Sequence, residues 1–319
     1  MIRRSVMRAV GRVSLLAGLA RKSLYSSATG AHFICLYFHR VSPEVDPVWQ
    51  PTHPSVFRNV VRWLKENADV TPLDGEARPG HPRVVLTFDD AYADFIEYAV
   101  PILEEHEVPA SQMVVTGCLE SGRPPWTTEV VDFFRSRSDA DIARMHRRDS
   151  ALPRSGTVAE VQGFIALLKQ HPTLSREARF GWFLEQVRGG DYPRTRMASS
   201  AQLRSLSSLF SLGLHSHGHE DMSRESDAFF EHDLESGILA YQSAFGSKPS
   251  VYSFPNGGSR QSLVEKLRAR NFRFILETGE QPALRGSDVV HRIQIGEDAY
   301  PASIARASFL LGRLRSFLQ

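Results

Sequence analysis

Strand-like and helix-like stretches alternate along most of this chain, and the alternation limits the fold more than any other feature. "HFICLYFHRV" and "RVVLTF" are short apolar runs rich in aromatic and β-branched residues, and "PSVFRNVVRWLKEN" between them has apolar residues at helical spacing. Strands that alternate with helices predict parallel βα units in an α/β fold, either a barrel or a doubly wound sheet. In both folds the reactive side chains gather at the carboxyl ends of the strands.

The length of 319 residues exceeds that of one small domain, yet a single α/β barrel takes about 200 to 250 residues. We therefore expect one catalytic domain over residues 31–300, interrupted by a helical insertion at about 123–200. "TVAEVQGFIALLKQ" and "SREARFGWFLEQV" carry the helical periodicity there. The insertion is either a lid or a purely structural excursion. Residues 301–319 are predicted to form a C-terminal helix.

Composition narrows the class of protein. Hydrophobic residues make up 42% and charged residues 23% of the chain, which is ordinary for a globular domain, and no apolar run approaches the roughly 18 residues needed to span a bilayer. Cys35 and Cys118 lie far apart in apolar segments. We therefore expect two buried free thiols and neither a disulfide nor a cysteine metal site.

The N-terminal segment, residues 1–30, is strongly basic. Residues 1–43 hold seven basic and no acidic side chains, which leaves 31 basic against 36 acidic residues, about −5, in the remainder. The segment is a short secretory signal, an organellar transit peptide, or an amphipathic helix that packs on the domain or lies on an anionic membrane surface. We favour the helix, and hence a cytoplasmic protein peripheral to the inner membrane, with secretion left open. No basic stripe with interleaved aromatics indicates a nucleic-acid partner.

Two adjacent carboxylates end the strand-like run in "VVLTFDDAYAD". Asp89 and Asp90 alone would most often mark a solvated turn or a helix N-cap. A functional interpretation needs partners elsewhere in the chain.

Those partners occur in "LFSLGLHSHGHED", where a second apolar segment ends in three histidines. His215 and His219 are four apart and can face one point, whereas His217 would point elsewhere and support the structure. Two imidazoles and one carboxylate leave positions for water, as a catalytic metal requires. If Asp90 binds the metal, Asp89 stays free as a base that takes a proton from the attacking water.

These motifs resemble the polysaccharide deacetylases, carbohydrate esterase family 4, with the NodB homology domain. "TFDD" at Thr87 to Asp90 and "HSHGH" at His215 to His219 carry the resemblance, and "YFHRVSP", "VPASQMVVTG" and "VYSFPNGG" extend it. The last three are most similar to the branch of surface-glycan and poly-N-acetylglucosamine deacetylases. The resemblance covers about residues 33–296.

The resemblance implies a distorted (β/α) barrel that removes acetyl groups from sugars with a divalent metal. It implies Asp90, His215 and His219 as metal ligands and Asp89 as general base. The metal expected first is Zn²⁺, with Co²⁺, Ni²⁺ and Fe²⁺ as alternatives. The substrate groove is expected to involve the following residues: His39, Phe254, Pro255, Asn256 and Arg292.

Three departures from the family pattern matter. "SFPNGG" lacks the arginine that orients the catalytic carboxylate, and we expect Arg292 beside Asp89 as the replacement. The family's Leu-x-His motif is absent, and "VVHRIQI" offers His291 as general acid. The first motif usually continues with Gly, whereas here Ala91 follows. We expect a backbone conformation at Ala91 that alanine tolerates.

Three hypotheses follow for the function. The first is a metal-dependent N-deacetylase acting on a sugar of a bacterial surface polysaccharide or its glycolipid precursor, with peripheral contact to an anionic membrane. The second keeps the site but hydrolyses other amides or esters, which the released acid would distinguish. The third is a catalytically idle glycan-binding protein, which would keep its cellular role in an Asp89→Ala variant.

Overall fold

The computed structural model describes residues 18–296, 300–310 and 313. Its strands are β1 (His32–Phe38), β2 (Asp69–Val70), β3 (Arg83–Phe88), β4 (Ala110–Val114), β5 (Phe210–Leu214), β6 (Val251–Ser253), β7 (Phe274–Thr278), β8 (Ala283–Leu284) and β9 (Val289–Gln294). Within the described residues, seven parallel strands close into a barrel in the order β1, β3, β4, β5, β6, β7, β9 and back to β1. The predicted barrel is therefore confirmed over the doubly wound sheet.

Helices surround the barrel. They are α1 (Pro54–Asn67), α2 (Val100–Glu105), α3 (Thr116–Ser121), α4 (Trp126–Arg135), α5 (Asp139–Arg148), α6 (Val158–Lys169), α7 (Thr173–Gly189), α8 (Ser200–Arg204), α9 (Asp227–Phe245), α10 (Gln261–Ala269) and α11 (Tyr300–Ala307). A helix also covers residues 18–28. At the edges, β2 pairs with β3, and β8 pairs antiparallel with β1.

Side chains alternate between the two faces of each barrel strand, as the pleat of a strand requires. The interior cluster includes the following residues: Cys35, Val85, Met113, Val251, Leu276 and Val290. Outward-facing Phe38 and Phe88 stack at 5.2 Å and pack against Phe57 of α1. Cys35 and Cys118 are buried free thiols, as predicted.

The predicted insertion, residues 123–200, contains α4 to α7 and the start of α8, all between β4 and β5. These helices share a hydrophobic core of their own. Phe183 lies at its centre, with ring contacts to Phe133, Phe134 and Phe164 at 5.2 to 5.6 Å. The insertion is thus a packed layer and not an extended loop.

Both terminal segments pack on the outside of the barrel where the structure describes them. Ala20 and Leu24 of the first helix join the same core cluster as Ile304 of α11. Residues 1–17 of the predicted basic N-terminal segment and residues 314–319 of the predicted C-terminal helix lie outside the described residues. In the described part of the chain, no helix combines the length and the apolarity needed to cross a bilayer.

We expect Phe183→Ala to lower the free energy of unfolding by about 3–5 kcal/mol, because it empties the centre of the insertion core. Urea denaturation followed by helical circular dichroism measures the change. Leu174→Ala on the same helix is the control: Leu174 is 80% exposed, so its replacement should change stability by less than about 0.5 kcal/mol. Equal stability of both variants would contradict the structural role of this core.

Candidate metal centre and active-site cavity

The carboxyl ends of β3 and β5 bring the predicted ligands together. Asp89 and Asp90 directly follow β3, His215 directly follows β5, and His219 lies one loop further. One ligand atom from each of Asp90, His215 and His219 lies within 4.8 Å of the other two, and all three side chains are buried. The spacing in sequence therefore corresponds to a cluster in space.

The donor atoms in this cluster fit a divalent metal. His215 Nδ1 lies 2.9 Å from the carbonyl oxygen of Ser253 and can only donate to it, so the lone pair of Nε2 faces Asp90, 3.5 Å away. His219 Nε2 lies 3.1 Å from Asp90 Oδ1. That oxygen is buried without a hydrogen-bond partner among the described residues, as expected of an atom whose partner is a metal ion.

The protonation states also suit a metal. Burial lowers the pKa of His215 to about 4, so the imidazole is neutral at physiological pH. Burial opposes ionisation of Asp90, but the neighbouring His219 and other histidines outweigh it and lower the pKa of this carboxyl. Metal ligands must be deprotonated before they bind, and both groups meet that condition.

Asp89 is held by a buried, bidentate ion pair. Arg292 Nη1 and Nη2 donate to the two carboxylate oxygens of Asp89 at 2.8 and 2.9 Å. Arg292 also donates to Ser253 Oγ at 2.7 Å and Thr87 Oγ1 at 3.1 Å, and its guanidinium lies 4.6 Å from the ring centroid of Tyr37. Burial would raise the pKa of Asp89, but Arg292 and His215 outweigh it and lower the pKa. The structure thus places Arg292 beside Asp89, where the sequence predicted it.

His291 does not reach the site, which corrects its assignment as general acid. Neighbouring residues of a strand point to opposite faces, and Arg292 points into the barrel. His291 therefore points outward, where its Nδ1 lies 3.7 Å from Glu277 Oε2. It is not among the residues that line the cavity. Only one of the adjacent side chains of His291 and Arg292 can point into the barrel, and it is that of Arg292.

The turn after β3 is backbone-strained. Asp90 and Ala91 have φ of 73° and 62°, in the left-handed region, so the expectation that Ala91 avoids this region is wrong. The turn holds because Ala91 N donates to Asp89 O at 3.0 Å and Ala91 O accepts from Ala198 N at 2.9 Å. The strain costs about 1 kcal/mol or more per residue and is typical of functional sites. His219 is also left-handed, with φ of 56°.

Asp233 of α9 shapes the histidine loop, and the sequence analysis missed it. Its carboxylate accepts hydrogen bonds from the backbone N–H of His217 at 2.9 Å and of Gly218 at 2.8 Å. The His217 side chain contacts Thr116 Oγ1 at 3.0 Å, consistent with a supporting role. A signal was present: Asp233 lies between Phe230 and Gly237 on the buried face of a helix, where an aspartate needs partners.

A second unpredicted contact links the insertion to the same loop. Arg176 of α7 donates to both oxygens of Glu220 at 2.5 and 2.9 Å, and both side chains are buried. The Arg176 guanidinium also lies 4.2 Å from the ring centroid of Trp126. Glu220 directly follows His219, so the insertion anchors the chain beside a predicted ligand. Arg176 and Glu220 are 44 positions apart, and no sequence pattern predicts a contact at that separation.

A cavity of about 350 Å³ opens over the cluster. Of the predicted groove residues, His39, Phe254 and Asn256 line it together with Asp89 and Asp90. Pro255 is buried without lining the cavity, and Arg292 lies behind Asp89. The insertion contributes three further lining residues, which are Thr127, Thr128 and Lys169.

The closed (β/α) barrel carries two histidines, one carboxylate and an adjacent ion-paired carboxylate at its strand ends, a donor set that could hold a divalent metal. The family model described as polysaccharide deacetylase matches residues 76–150 and 185–275. These ranges make up more than half of the chain, so the chain belongs to the polysaccharide deacetylase family. The unmatched residues 151–184 contain α6 and most of α7.

Two curated relatives share part of this region. The poly-beta-1,6-N-acetyl-D-glucosamine N-deacetylase of Escherichia coli O157:H7 is 32% identical over 110 residues, and that of strain K12 is 31% identical. Each match covers 31% of this chain but only 16% of the relative.

Solved structures share the fold over most of the chain. The Streptococcus pyogenes deacetylase PplD, in complex with acetate, aligns with a TM-score of 0.59 at 15% identity, over 88% of this chain and 99% of that one. IcaB from Ammonifex degensii aligns with a TM-score of 0.58 at 15% identity, with the same coverage of both chains.

We expect Arg292→Met to lower the free energy of unfolding by about 3–5 kcal/mol, because it leaves the Asp89 carboxylate buried and unpaired. Arg292→Met combined with Asp89→Asn removes that charge as well, and should recover at least half of the loss. Urea denaturation of wild type, both single variants and the double variant gives the coupling energy. A double variant no more stable than Arg292→Met would show that the ion pair is not the source of the loss.

Proposed function

We propose that this protein is a metal-dependent hydrolase that removes N-acetyl groups from a sugar of a bacterial surface polysaccharide or of its glycolipid precursor. One observation carries the proposal: a buried carboxylate, Asp89, is held by Arg292 directly beside the donor set of Asp90, His215 and His219. A binding groove has no need of a base next to a metal site. The names of the Escherichia coli relatives support N-acetylglucosamine as the sugar class.

Each part of the site has a chemical task in this proposal. A divalent metal on Asp90, His215 and His219 would polarise the acetyl carbonyl and acidify an attacking water. Asp89 accepts the proton of that water. Because Arg292 lowers the pKa of Asp89, this carboxylate is ionised at neutral pH but is a weak base, so it depends on a water whose own pKa is lowered. Because Arg292 donates to both oxygens of Asp89, it also fixes the orientation of this carboxylate.

The departing amine needs a proton donor, and we assign this task to His39. It lines the cavity, and among the described lining residues it is the one imidazole outside the metal-ligand set. His39 follows β1, the strand between β3 and β9, so it lies at the same end of the barrel as Asp89. It replaces His291, which the outward face of β9 keeps away from the cavity.

The identity of the metal and the cellular location of the protein also belong to the proposal. Two nitrogen donors and one oxygen donor suit Zn²⁺ first, and Co²⁺, Ni²⁺ or Fe²⁺ as alternatives. A lipid-linked precursor as substrate implies work at the inner membrane, and the basic residues within 1–17 would supply the attraction to anionic lipids.

We expect the metal-loaded protein to release acetate from β-1,6-linked N-acetylglucosamine oligomers or from a lipid-linked N-acetylated sugar. Asp89→Asn should lower kcat by about 10²–10⁴-fold, the range of one general base. Chelation should abolish release while circular dichroism stays unchanged, because hydrophobic clusters and not the site hold the barrel. Release of another acid would favour the second hypothesis, and full cellular function of Asp89→Ala would favour the binding-protein hypothesis.

A matched pair of histidine variants tests the proton donor. His39→Asn should lower kcat for acetate release by about 10²–10⁴-fold, whereas His291→Asn should keep kcat within about twofold of wild type, because His291 lies outside the cavity. Steady-state assays on the same N-acetylated oligomer measure both. The reverse pattern would return the role to His291 and would require β9 to turn its other face inward.

A further inference from the structure

The insertion places a lysine side chain in the cavity wall, next to an aromatic ring. Lys169, the last residue of α6, lines the cavity together with Trp49 and Asn256. Lys169 Nζ donates to Asn256 Oδ1 at 2.5 Å and lies 5.8 Å from the ring centroid of Trp49. Trp49 is 39% exposed and lines the cavity, so the ring is a wall of the cavity and not part of the core.

The backbone around Trp49 is fixed, which makes this group a built site. Asp46 Oδ1 accepts hydrogen bonds from Val48 N at 2.9 Å and from Trp49 N at 3.0 Å. Gln162 of α6 donates to the Val48 carbonyl oxygen at 3.0 Å. One helix of the insertion therefore carries Lys169 and also braces the loop that carries Trp49.

The charge of Lys169 is not balanced by a close carboxylate. Arg40, the other lysine or arginine lining the cavity, pairs with Asp94 at 2.6 Å. Among the described residues, by contrast, no carboxylate lies within 4.0 Å of Lys169 Nζ, and its hydrogen-bond partner is the neutral amide of Asn256. The carboxylates that act on Lys169 from a longer distance are Asp90 and Asp221, and a metal on Asp90 would offset the first of them.

An exposed indole next to hydrogen-bonding groups suits a sugar ring, because the C–H face of a pyranose packs on the aromatic face while its hydroxyls reach the polar groups. A fixed ammonium adds a charge preference, since like charges in a partly buried site repel and opposite charges attract. Deacetylation turns a neutral N-acetyl sugar into an amino sugar that is cationic at neutral pH. Lys169 would meet that product with its own positive charge.

We propose that Trp49, Lys169 and Asn256 form a second sugar subsite beside the metal centre, which accepts an uncharged or acidic pyranose and disfavours a cationic amino sugar. The inference rests on the proposed deacetylase function, and it makes the insertion a determinant of which neighbouring sugar is tolerated. Lys169 lies within residues 151–184, which the family match leaves out. The insertion thus supplies the cation of the subsite, whereas Trp49 and Asn256 come from other parts of the chain.

Two trisaccharides test the charge preference on the metal-loaded protein. One contains three β-1,6-linked N-acetylglucosamines, and the other keeps the central N-acetyl group but carries glucosamine at both ends. We expect wild type to favour the first by about tenfold or more in kcat/KM. Lys169→Gln should reduce this preference to within twofold, and Lys169→Glu should reverse it. Lys248→Gln, an exposed lysine after α9, is the control and should keep the wild-type preference.

The aromatic wall is tested in the same assay. Trp49→Ala should raise KM for the fully N-acetylated trisaccharide about tenfold with kcat within twofold, because it removes ground-state and transition-state binding alike. Trp49→Phe should restore most of the loss, and Leu239→Ala, at an exposed apolar residue, should change nothing. A wild-type preference that persists in Lys169→Glu, or an unchanged KM in Trp49→Ala, would overturn the subsite.

Calorimetry on the metal-stripped protein separates the subsite from the reaction. Binding of the fully N-acetylated trisaccharide that weakens in both Lys169→Glu and Trp49→Ala supports the subsite even if no acetate is released, in which case the proposed function fails alone. Acetate release with binding unaffected by either variant keeps the function and overturns the subsite. Absence of both binding and release in wild type overturns both.

Discussion

The buried ion pair between Arg292 and Asp89 is the interaction on which the candidate site depends. Arg292 lies on β9 and Asp89 directly follows β3, and these two strands do not pair with each other: β9 pairs with β1, and β1 pairs with β3. They meet across β1 because the barrel is closed and both side chains point inward. Burying a guanidinium is costly unless its donors are used. Here Nη1 and Nη2 donate to Asp89, Ser253 and Thr87, whereas Nε has no hydrogen-bond partner among the described residues. The same contacts orient the carboxylate beside the metal ligands.

The clustering of the three predicted metal ligands could be foreseen from the sequence because their signals are local. Asp90 follows one apolar run, His215 and His219 follow another, and the parallel barrel needs only the rule that carboxyl ends of strands share one face. Arg292 and its neighbour His291 were both assigned to the site, as orienting cation and general acid, because the sequence does not show which face of the strand points inward, and a one-residue shift exchanges the two faces. The pairing of β9 with β7 and β1 in the closed barrel fixes which of its side chains point inward. No local sequence pattern contains this information.

The contacts of the residues that shape the site from a distance could not be predicted from the sequence. Asp233 holds the backbone of the histidine loop and Arg176 holds Glu220, yet each pair joins separate helices and loops. A long-range polar contact produces no periodic pattern in the sequence. The only sequence signal for such a contact was the position of Asp233 on the apolar face of a helix. Ala91 was misjudged for a related reason. Its left-handed φ is imposed by hydrogen bonds to Asp89 and Ala198, and these override the intrinsic preference of alanine.

The insertion connects these observations, because it contacts the site at more than one point. Through Arg176 it anchors Glu220, next to His219, and through Arg135, 3.5 Å from Asp46, it reaches the loop that carries Trp49. Its phenylalanine core gives these anchors a rigid base. A lid that opens freely would have to break both hydrogen bonds of the buried Arg176–Glu220 pair. The insertion is therefore better understood as a fixed wall of the cavity, and the alternative of a purely structural excursion does not account for Lys169 at its inner edge.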